Sequence, residues 1–131
     1  MNLGPAINSE AGEGDSCISP DGGYLVFSSR REEGLGNGDL YVSFKLADGS
    51  WTKAQNLGPT VNTEHLEFCP SVSRDGKYLF FTSNRPKQTK IPRFRSGARE
   101  ALGLAPNPGR PDLDIYWVDV CHLDKLRPKA E

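Results

Sequence analysis

The aspartates that could carry chemistry occur at equivalent places in the two halves of this chain. Two stand in a Ser-x-Asp-Gly motif, and the other two precede an apolar residue and a tyrosine. Paired carboxylates can perform acid–base catalysis or bind Ca²⁺. A catalytic pair occupies one place in a fold, however, whereas these residues recur with the repeat that contains them. We interpret them as turn-forming and strand-end residues. The structural repeat positions are Asp21, Gly22, Asp39, Asp75, Gly76 and Asp114.

The other residue types that enzymes use are isolated along the sequence. His65 and His122 have no partner at metal-ligand spacing, and a lone histidine is more often a surface or capping residue. Ser28, Ser29 and Ser83 lie at strand ends of a repeated motif, without the strand-turn-helix elbow of a nucleophile. We therefore predict no catalytic residue, no metal site and no cofactor.

A basic segment occurs in one half of the chain alone. The insertion 86–111 carries six lysines and arginines against one acid, Glu100. Cations concentrated on a long loop can bind an anionic glycan, a phosphate-bearing ligand or an acidic protein surface, although charged loops are more often simply solvated. The candidate ligand-binding residues are Arg30, Arg31, Asn84, Arg85, Lys87, Lys90, Arg93 and Arg95.

An internal repeat positions these residues. Residues 19–31 return as 73–85, and residues 2–10 return as 56–64, at the same offset of about 54 residues. A period near 50 that contains several short β signals is typical of β-propeller blades. The predicted fold class is all-β and propeller-like, a partial propeller of two four-stranded antiparallel blades with few or no helices.

The strands follow from β-branched and aromatic runs between turn residues. A single domain, 1–131, contains blade 1 at about 13–56 and blade 2 at about 67–126, the second without a clear fourth strand. Residues 3–7 are expected to add an outer strand, and residues 120–126 to form one or two helical turns. The predicted strands are 16–19, 24–29, 39–45, 51–56, 69–73, 78–83 and 114–119.

Asp–Gly pairs predict two hairpin turns. Asp21-Gly22-Gly23 is expected to form a two-residue turn, because aspartate and glycine tolerate the positive φ angles that such turns need. Residues 47–50, which also contain an Asp–Gly pair, are expected to form another.

The strands are apolar on both faces. Tyr24 and Val26 point to one side of their strand while Leu25 and Phe27 point to the other, and we predict Tyr41 on the side of the first pair. A sheet of this kind lies between other layers, so two blades leave one apolar face each uncovered. We therefore expect association as a ring of three copies, a face-to-face dimer or an unclosed stack.

The motif Ser-Pro-Asp-Gly-Gly-Tyr-Leu-Val-Phe-Ser-Ser-Arg followed by Gly-Asp-Leu-Tyr-Val resembles the WD40-like repeat of TolB-type propellers, the PD40 repeat. The second copy departs at Arg74, where the family usually has proline. The resemblance covers nearly the whole chain outside the insertion and the last dozen residues. It implies a propeller of six or so blades. In bacteria such propellers act as extracytoplasmic binding or scaffold modules, some in cell-envelope complexes and some attached to enzymes.

The resemblance leads us to expect a non-enzymatic binding or scaffold module, for a protein, a glycan or an anionic ligand. The alternative is a fragment of a propeller hydrolase, sialidase-like or peptidase-associated. A protein partner or self-association would complete the propeller. The family implies a periplasmic or extracellular location; since no signal peptide is visible, the chain would be cytoplasmic if Met1 is the native start.

Net charge and hydropathy argue against two further classes of partner, nucleic acid and the membrane interior. The net charge of −1 gives no global reason to expect nucleic acid, and no apolar run reaches the 18 residues that membrane insertion needs. Cys17, Cys69 and Cys121 are predicted to be reduced and mostly buried thiols, with a Cys17–Cys69 disulfide as the alternative.

Overall fold

A computed structural model describes residues 1–86 and 113–128 of the chain. These residues form two antiparallel sheets and one helix of four residues, which confirms the all-β prediction. No helix in this part of the chain is long and apolar enough to cross a membrane.

The first sheet is a meander of four strands in the order β1-β2-β3-β4. β2 and β3 pair along their whole length, from Tyr24 opposite Phe44 to Ser29 opposite Asp39. β4 is shorter than predicted because only its last two residues join the ladder, while an isolated bridge connects Lys45 and Trp51. The strands are β1 (Glu13–Ile18), β2 (Tyr24–Ser29), β3 (Asp39–Phe44) and β4 (Gln55–Asn56).

The second sheet repeats this meander with three strands in the described residues, in the order β5-β6-β7. They are β5 (Glu67–Val72), β6 (Tyr78–Ser83) and β7 (Asp114–Asp119), followed by helix α1 (Cys121–Asp124). The second sheet therefore lacks, among these residues, the counterpart of β4, as the sequence suggested.

The first strand of each sheet begins earlier than its predicted strand, although both sheets begin where the predicted blades do, and both first strands carry the same irregularity. The pairing of β1 with β2 shifts between Gly14 and Cys17, and that of β5 with β6 shifts between Phe68 and Ser71. These β-bulges place two non-glycine residues at positive φ, Asp15 at 39° and its counterpart Cys69 at 50°. A bulge bends the strand and redirects its side chains, which the sequence pattern did not reveal.

The Asp–Gly turns form as hairpins, but by a different mechanism from the one predicted. The turn after β1 spans four residues, since Ser19 N–H bonds to the carbonyl oxygen of Tyr24. Gly22 alone takes a positive φ, 72°, while the Asp21 carboxylate accepts hydrogen bonds from Ser19 Oγ and Gly23 N–H. The turn after β5 repeats this arrangement with Ser73, Asp75, Gly76 and Lys77.

The segment before the first sheet is a turn and not the outer strand that was expected at residues 3–7. Gly4 has a φ of 84°, and its carbonyl oxygen accepts hydrogen bonds from Ile7 N–H and Asn8 N–H. Residues 2–9 and 56–63 adopt the same conformation, with Gly58 at 73° in the place of Gly4. We call these segments the first and second connector.

The main core lies between the two sheets. One face of the first sheet presents Tyr24, Val26, Leu40, Val42 and Phe44 to the second sheet and the second connector. The opposing side chains are Leu57, Val61, Leu79, Phe81, Val120 and Leu123.

A second cluster covers the other face of the first sheet, so that both of its faces are buried. It contains Leu25, Phe27 and Tyr41 together with Ile7 of the first connector. The prediction that put Tyr41 beside Tyr24 was wrong, because the register pairs Tyr41 with Phe27. A shift of one residue between strands reverses every side chain, and the loop between β2 and β3 hides that register from the sequence.

The three cysteines are unpaired. Cys17 is half-buried, and burial raises the pKa of its thiol, whereas Cys69 and Cys121 are exposed. The expectation of mostly buried thiols was therefore wrong for two of the three, because the bulge turns Cys69 outward and Cys121 begins the surface helix.

Candidate functional site

Arg31, a predicted ligand-binding residue, is enclosed within the fold. Its guanidinium lies 3.0 Å from Glu13 Oε1 and donates a hydrogen bond of 2.5 Å to the carbonyl oxygen of Ile7. The same group stacks over the rings of Phe27 and Tyr41, 5.5 and 4.9 Å from their centroids. Arg31 therefore clamps the first connector onto the first sheet.

The carboxylate of Glu13 is bound from a second side. Ser9 donates to it from both its backbone N–H and its hydroxyl, at 3.0 and 2.5 Å. Burial raises the pKa of Glu13, but the hydrogen bonds from Ser9 and the neighbouring Arg31 outweigh it and hold the pKa below its usual value. The glutamate is ionised at neutral pH and fixed.

Arg85 repeats this clamp in the second sheet. It pairs with the fully buried carboxylate of Glu67 at 3.1 Å, donates to the carbonyl oxygen of Val61, and lies over the rings of Phe81 and Tyr116. Thr63 and Ser83 also donate to Glu67, through hydroxyl groups at 2.8 and 2.7 Å. Two guanidinium groups that were predicted to face a ligand are thus already bound by the protein.

The side chains of Asn84 and Asp39 also form hydrogen bonds within the protein. The side-chain oxygen of Asn84 accepts a hydrogen bond of 2.8 Å from Leu66 N–H, which joins the end of β6 to the start of β5. Asp39 is buried and accepts hydrogen bonds from Leu35 N–H, Gly36 N–H and Asn56 Nδ2. Its counterpart Asp114 begins β7 as Asp39 begins β3.

Arg30 differs from Arg31 and Arg85 because its side chain is exposed. It lines a cleft of about 310 Å³ between the starts of β1 and β5, together with Asp15, Ser28 and Phe68. The cleft is also lined by Glu13, whose carboxylate is already paired with Arg31, so Arg30 and Asp15 are the charged residues that remain for a ligand. It could accept a small polar ligand, and Asp15 is the residue in it that the sequence analysis missed. The remaining candidates, Lys87, Lys90, Arg93 and Arg95, lie outside the described residues.

The histidines stand apart from this cleft. His65 lies 3.6 Å from Glu64 on the surface, and His122 Nε2 is 3.4 Å from the carbonyl oxygen of Leu57. In residues 1–86 and 113–128, no three histidine, cysteine or acidic side chains are arranged to hold a metal ion.

The second sheet exposes one apolar face, whereas the first sheet, which was also expected to leave one face uncovered, has both of its faces buried. Ile115 is 77% and Trp117 61% exposed, whereas their counterparts in the first sheet, Leu40 and Val42, are fully buried. Two further exposed aromatic rings extend this surface, and one of them packs edge-on against Trp117 at 5.3 Å. We call it the β7 face. It consists of Tyr78, Phe80, Ile115 and Trp117.

The repeat was the signal that could have located this face. Residues on the side of Tyr24 in the first copy are covered by the second copy, whereas the same positions in the second copy are left exposed by the part of the chain that the structure describes. Both sheets are equally apolar in sequence, which is why composition alone could not separate them.

Comparison with known proteins gives no relative to which this chain can be assigned. No family model, no curated protein and no solved structure matches it.

Proposed function

We propose that this chain is a non-enzymatic binding or scaffold module of the TolB-type, PD40-like propeller class, and that it binds a protein through the β7 face. The observation that carries the proposal is the exposure of that face, since its counterpart in the first sheet is wholly buried. A contiguous exposed patch with tryptophan, tyrosine and phenylalanine is typical of protein-binding surfaces.

The propeller assignment is supported by the way the two sheets repeat. Each is an antiparallel meander with the same bulge, the same Asp–Gly turn and the same glutamate–arginine clamp on its connector. The sheets pack face to face, as neighbouring blades do. The two sheets are, on this proposal, consecutive blades of a propeller.

The ionisable groups of the repeat also favour a scaffold over a hydrolase. Glu13 and Glu67 are held by arginine, and Asp39 by backbone N–H groups, so these carboxylates serve to join segments. A catalytic acid needs to reach a substrate. In the cleft, Asp15 is the carboxylate that could do so, which makes it the residue on which a hydrolase would depend.

Site-specific photo-crosslinking tests the proposal. A photoreactive phenylalanine analogue placed at Trp117 should form covalent protein adducts in cells that produce the chain. The same analogue at Leu46, an exposed residue of the β3–β4 turn, provides the matched control and should form few.

Two further assays address the alternatives. A panel of glycosidase and peptidase substrates should show no turnover; activity that an Asp15→Asn variant abolishes would refute the proposal. Anionic-ligand binding by the insertion stays a prediction. A glycan and anionic-ligand array tests it by comparing binding of the wild type with that of an Arg30→Met variant and of the triple variant Lys90→Ala, Arg93→Ala and Arg95→Ala.

A further inference from the structure

We propose that the β7 face binds the first connector and the first sheet of a second copy of this chain, head to tail. This inference rests on the proposed function of the β7 face as a protein-binding surface and names the partner. The partner is identified by the chain's own internal repeat, because the connector and the sheet face that meet between the two sheets each have an exposed counterpart, in Leu3 of the first connector and in the β7 face.

The contact between the second connector and the first sheet, within one copy, shows how the contact between two copies would be made. The second connector binds the edge of β3 at Leu40 through the side chain of Asn62. The Asn62 side-chain oxygen accepts from Leu40 N–H at 2.8 Å, and its amide donates to the Leu40 carbonyl at 2.9 Å. Leu57 N–H also donates to that carbonyl. The Leu57 side chain enters the core and is only 2% exposed.

The first connector has the same shape, but within residues 1–86 and 113–128 its Asn8 side chain bonds to no strand. Asn2 Oδ1 accepts from Gly4 N–H and from Asn8 Nδ2 at 2.7 and 2.8 Å, as Asn56 Oδ1 accepts from Gly58 N–H and Asn62 Nδ2. Among the described residues, Asn8 bonds to its own connector alone. Leu3, the counterpart of Leu57, is 49% exposed. This connector is therefore preformed for an edge like that of β3.

β7 offers such an edge. Ile115 stands opposite Thr82 in the same register as Leu40 stands opposite Ser28. In an antiparallel ladder this register fixes the direction of the backbone groups. Since Leu40 directs its N–H and carbonyl away from β2 toward the second connector, Ile115 directs its own away from β6 toward the outer edge of the sheet.

The side-chain surfaces match in the same way. Leu79, Phe81, Leu57 and Val61 form the surface that covers the Tyr24 side of the first sheet. Their counterparts in the first copy, Leu25, Phe27, Leu3 and Ile7, line a groove of about 200 Å³, in which Leu3 is exposed and the other three are already largely buried. The counterparts of Tyr24, Val26, Leu40 and Val42 form the β7 face. The exposed Leu3 is therefore the side chain that the β7 face would cover, as the first sheet covers Leu57.

The two surfaces lie on different parts of the molecule, so the contact is heterologous. Heterologous contacts generate a closed ring when the rotation between copies closes, and an open filament when it does not. A two-fold dimer through the β7 face alone would instead leave the groove and the first connector unused.

Complementary variants test this arrangement. A face variant, Ile115→Lys with Trp117→Lys, keeps an intact groove; a groove variant, Leu3→Lys with Asn8→Ala, keeps an intact β7 face. All four substituted side chains are at least partly exposed, so both variants should fold as the wild type does by circular dichroism. Analytical ultracentrifugation then measures the mass of each protein across a concentration series.

We expect the wild type to assemble, each variant to lose assembly, and an equimolar mixture of the two to form a 1:1 complex. The control Leu46→Lys, another exposed leucine, should assemble as the wild type does. A groove variant that still dimerises, or a mixture that does not associate, would overturn the head-to-tail contact.

The two proposals can fail separately. A monomeric wild type would overturn self-association, yet crosslinks from Trp117 to a different protein would leave the proposed function standing. Assembly of the wild type that survives in both variants would place the self-contact elsewhere and overturn this inference as well.

Discussion

At the scale of single residues, the Tyr24 hydroxyl is a buried polar group whose surroundings are apolar. It is enclosed between the sheets and has no hydrogen-bond partner among residues 1–86 and 113–128. Burial raises the pKa of Tyr24 to about 12. An unsatisfied buried hydroxyl costs about 1 kcal/mol or more of stability.

We therefore expect Tyr24→Phe to stabilise the chain at pH 7 by up to about 1 kcal/mol. The stability that Tyr24 contributes should fall at alkaline pH. Because the folded pKa lies above the unfolded value near 10, the neutral phenol's contribution is complete below pH 10 and is lost as the pH rises toward 12. Urea unfolding from pH 7 to 11.5 should show a smaller alkaline loss in the variant than in the wild type, because burial also raises the pKa of Tyr41 and of Cys17 in both proteins. Tyr78→Phe, at an exposed tyrosine, is the control and should change little.

The Arg85–Glu67 pair gives a second test at this scale. Removing one partner of a buried pair leaves a desolvated charge and typically costs about 3–5 kcal/mol. We expect Arg85→Met to destabilise the chain by an amount of this order, since Glu67 is fully buried. The double variant with Glu67→Gln should recover part of the loss.

Arg30→Met is the matched control for the arginine, because Arg30 is exposed and should change unfolding by less than about 0.5 kcal/mol. Chemical denaturation of the wild type, Arg85→Met, Glu67→Gln and the double variant completes a double-mutant cycle, with Arg30→Met measured beside it. An Arg85→Met variant as stable as Arg30→Met would show that Arg85 is free to bind ligand, as the sequence suggested.

At the scale of elements, the connectors distinguish the two copies most sharply. Asn62 makes two hydrogen bonds to Leu40 and one to Asn56, all within the protein. Among the described residues, Asn8 makes no such bonds to a strand. We expect Asn62→Ala to cost about 2–3 kcal/mol and Asn8→Ala less than about 1 kcal/mol. Thermal unfolding in the Ile115→Lys, Trp117→Lys background keeps association from masking the difference, and equal losses would contradict the assigned contacts.

Much of this element structure was predictable from the repeat. β2, β6 and β7 begin and end where the apolar runs and turn residues placed them, since each is bounded by Asp–Gly turns or polar residues. The bulges at Asp15 and Cys69 were not, because a bulge depends on the partner strand and leaves little trace in one sequence. The engagement of Arg31 and Arg85 was missed for a related reason: Glu13 and Glu67 lie ahead of the predicted strands, so the partners of both arginines were not recognised.

At the scale of the whole molecule, the contrast between a buried first sheet and an exposed β7 face makes stability depend on concentration. A native state that associates is stabilised by mass action, by up to about 1.4 kcal/mol for each tenfold rise in concentration above the dissociation constant. We expect the melting temperature of the wild type to rise by several degrees over such a range. The Ile115→Lys, Trp117→Lys variant should melt at a constant temperature, and scanning calorimetry at several concentrations separates the two.

The segment that joins β6 to β7 is much longer than the one that joins β2 to β3. Ser83 and Asp114 are direct partners across the ladder, just as Ser29 and Asp39 are in the first sheet, although thirty residues separate the former and nine the latter. Because loop-closure entropy grows only logarithmically with length, the longer excursion costs about 1 kcal/mol more. Residues can therefore be inserted or replaced between β6 and β7 at a small cost in folding free energy. The basic insertion occupies this place in the sequence.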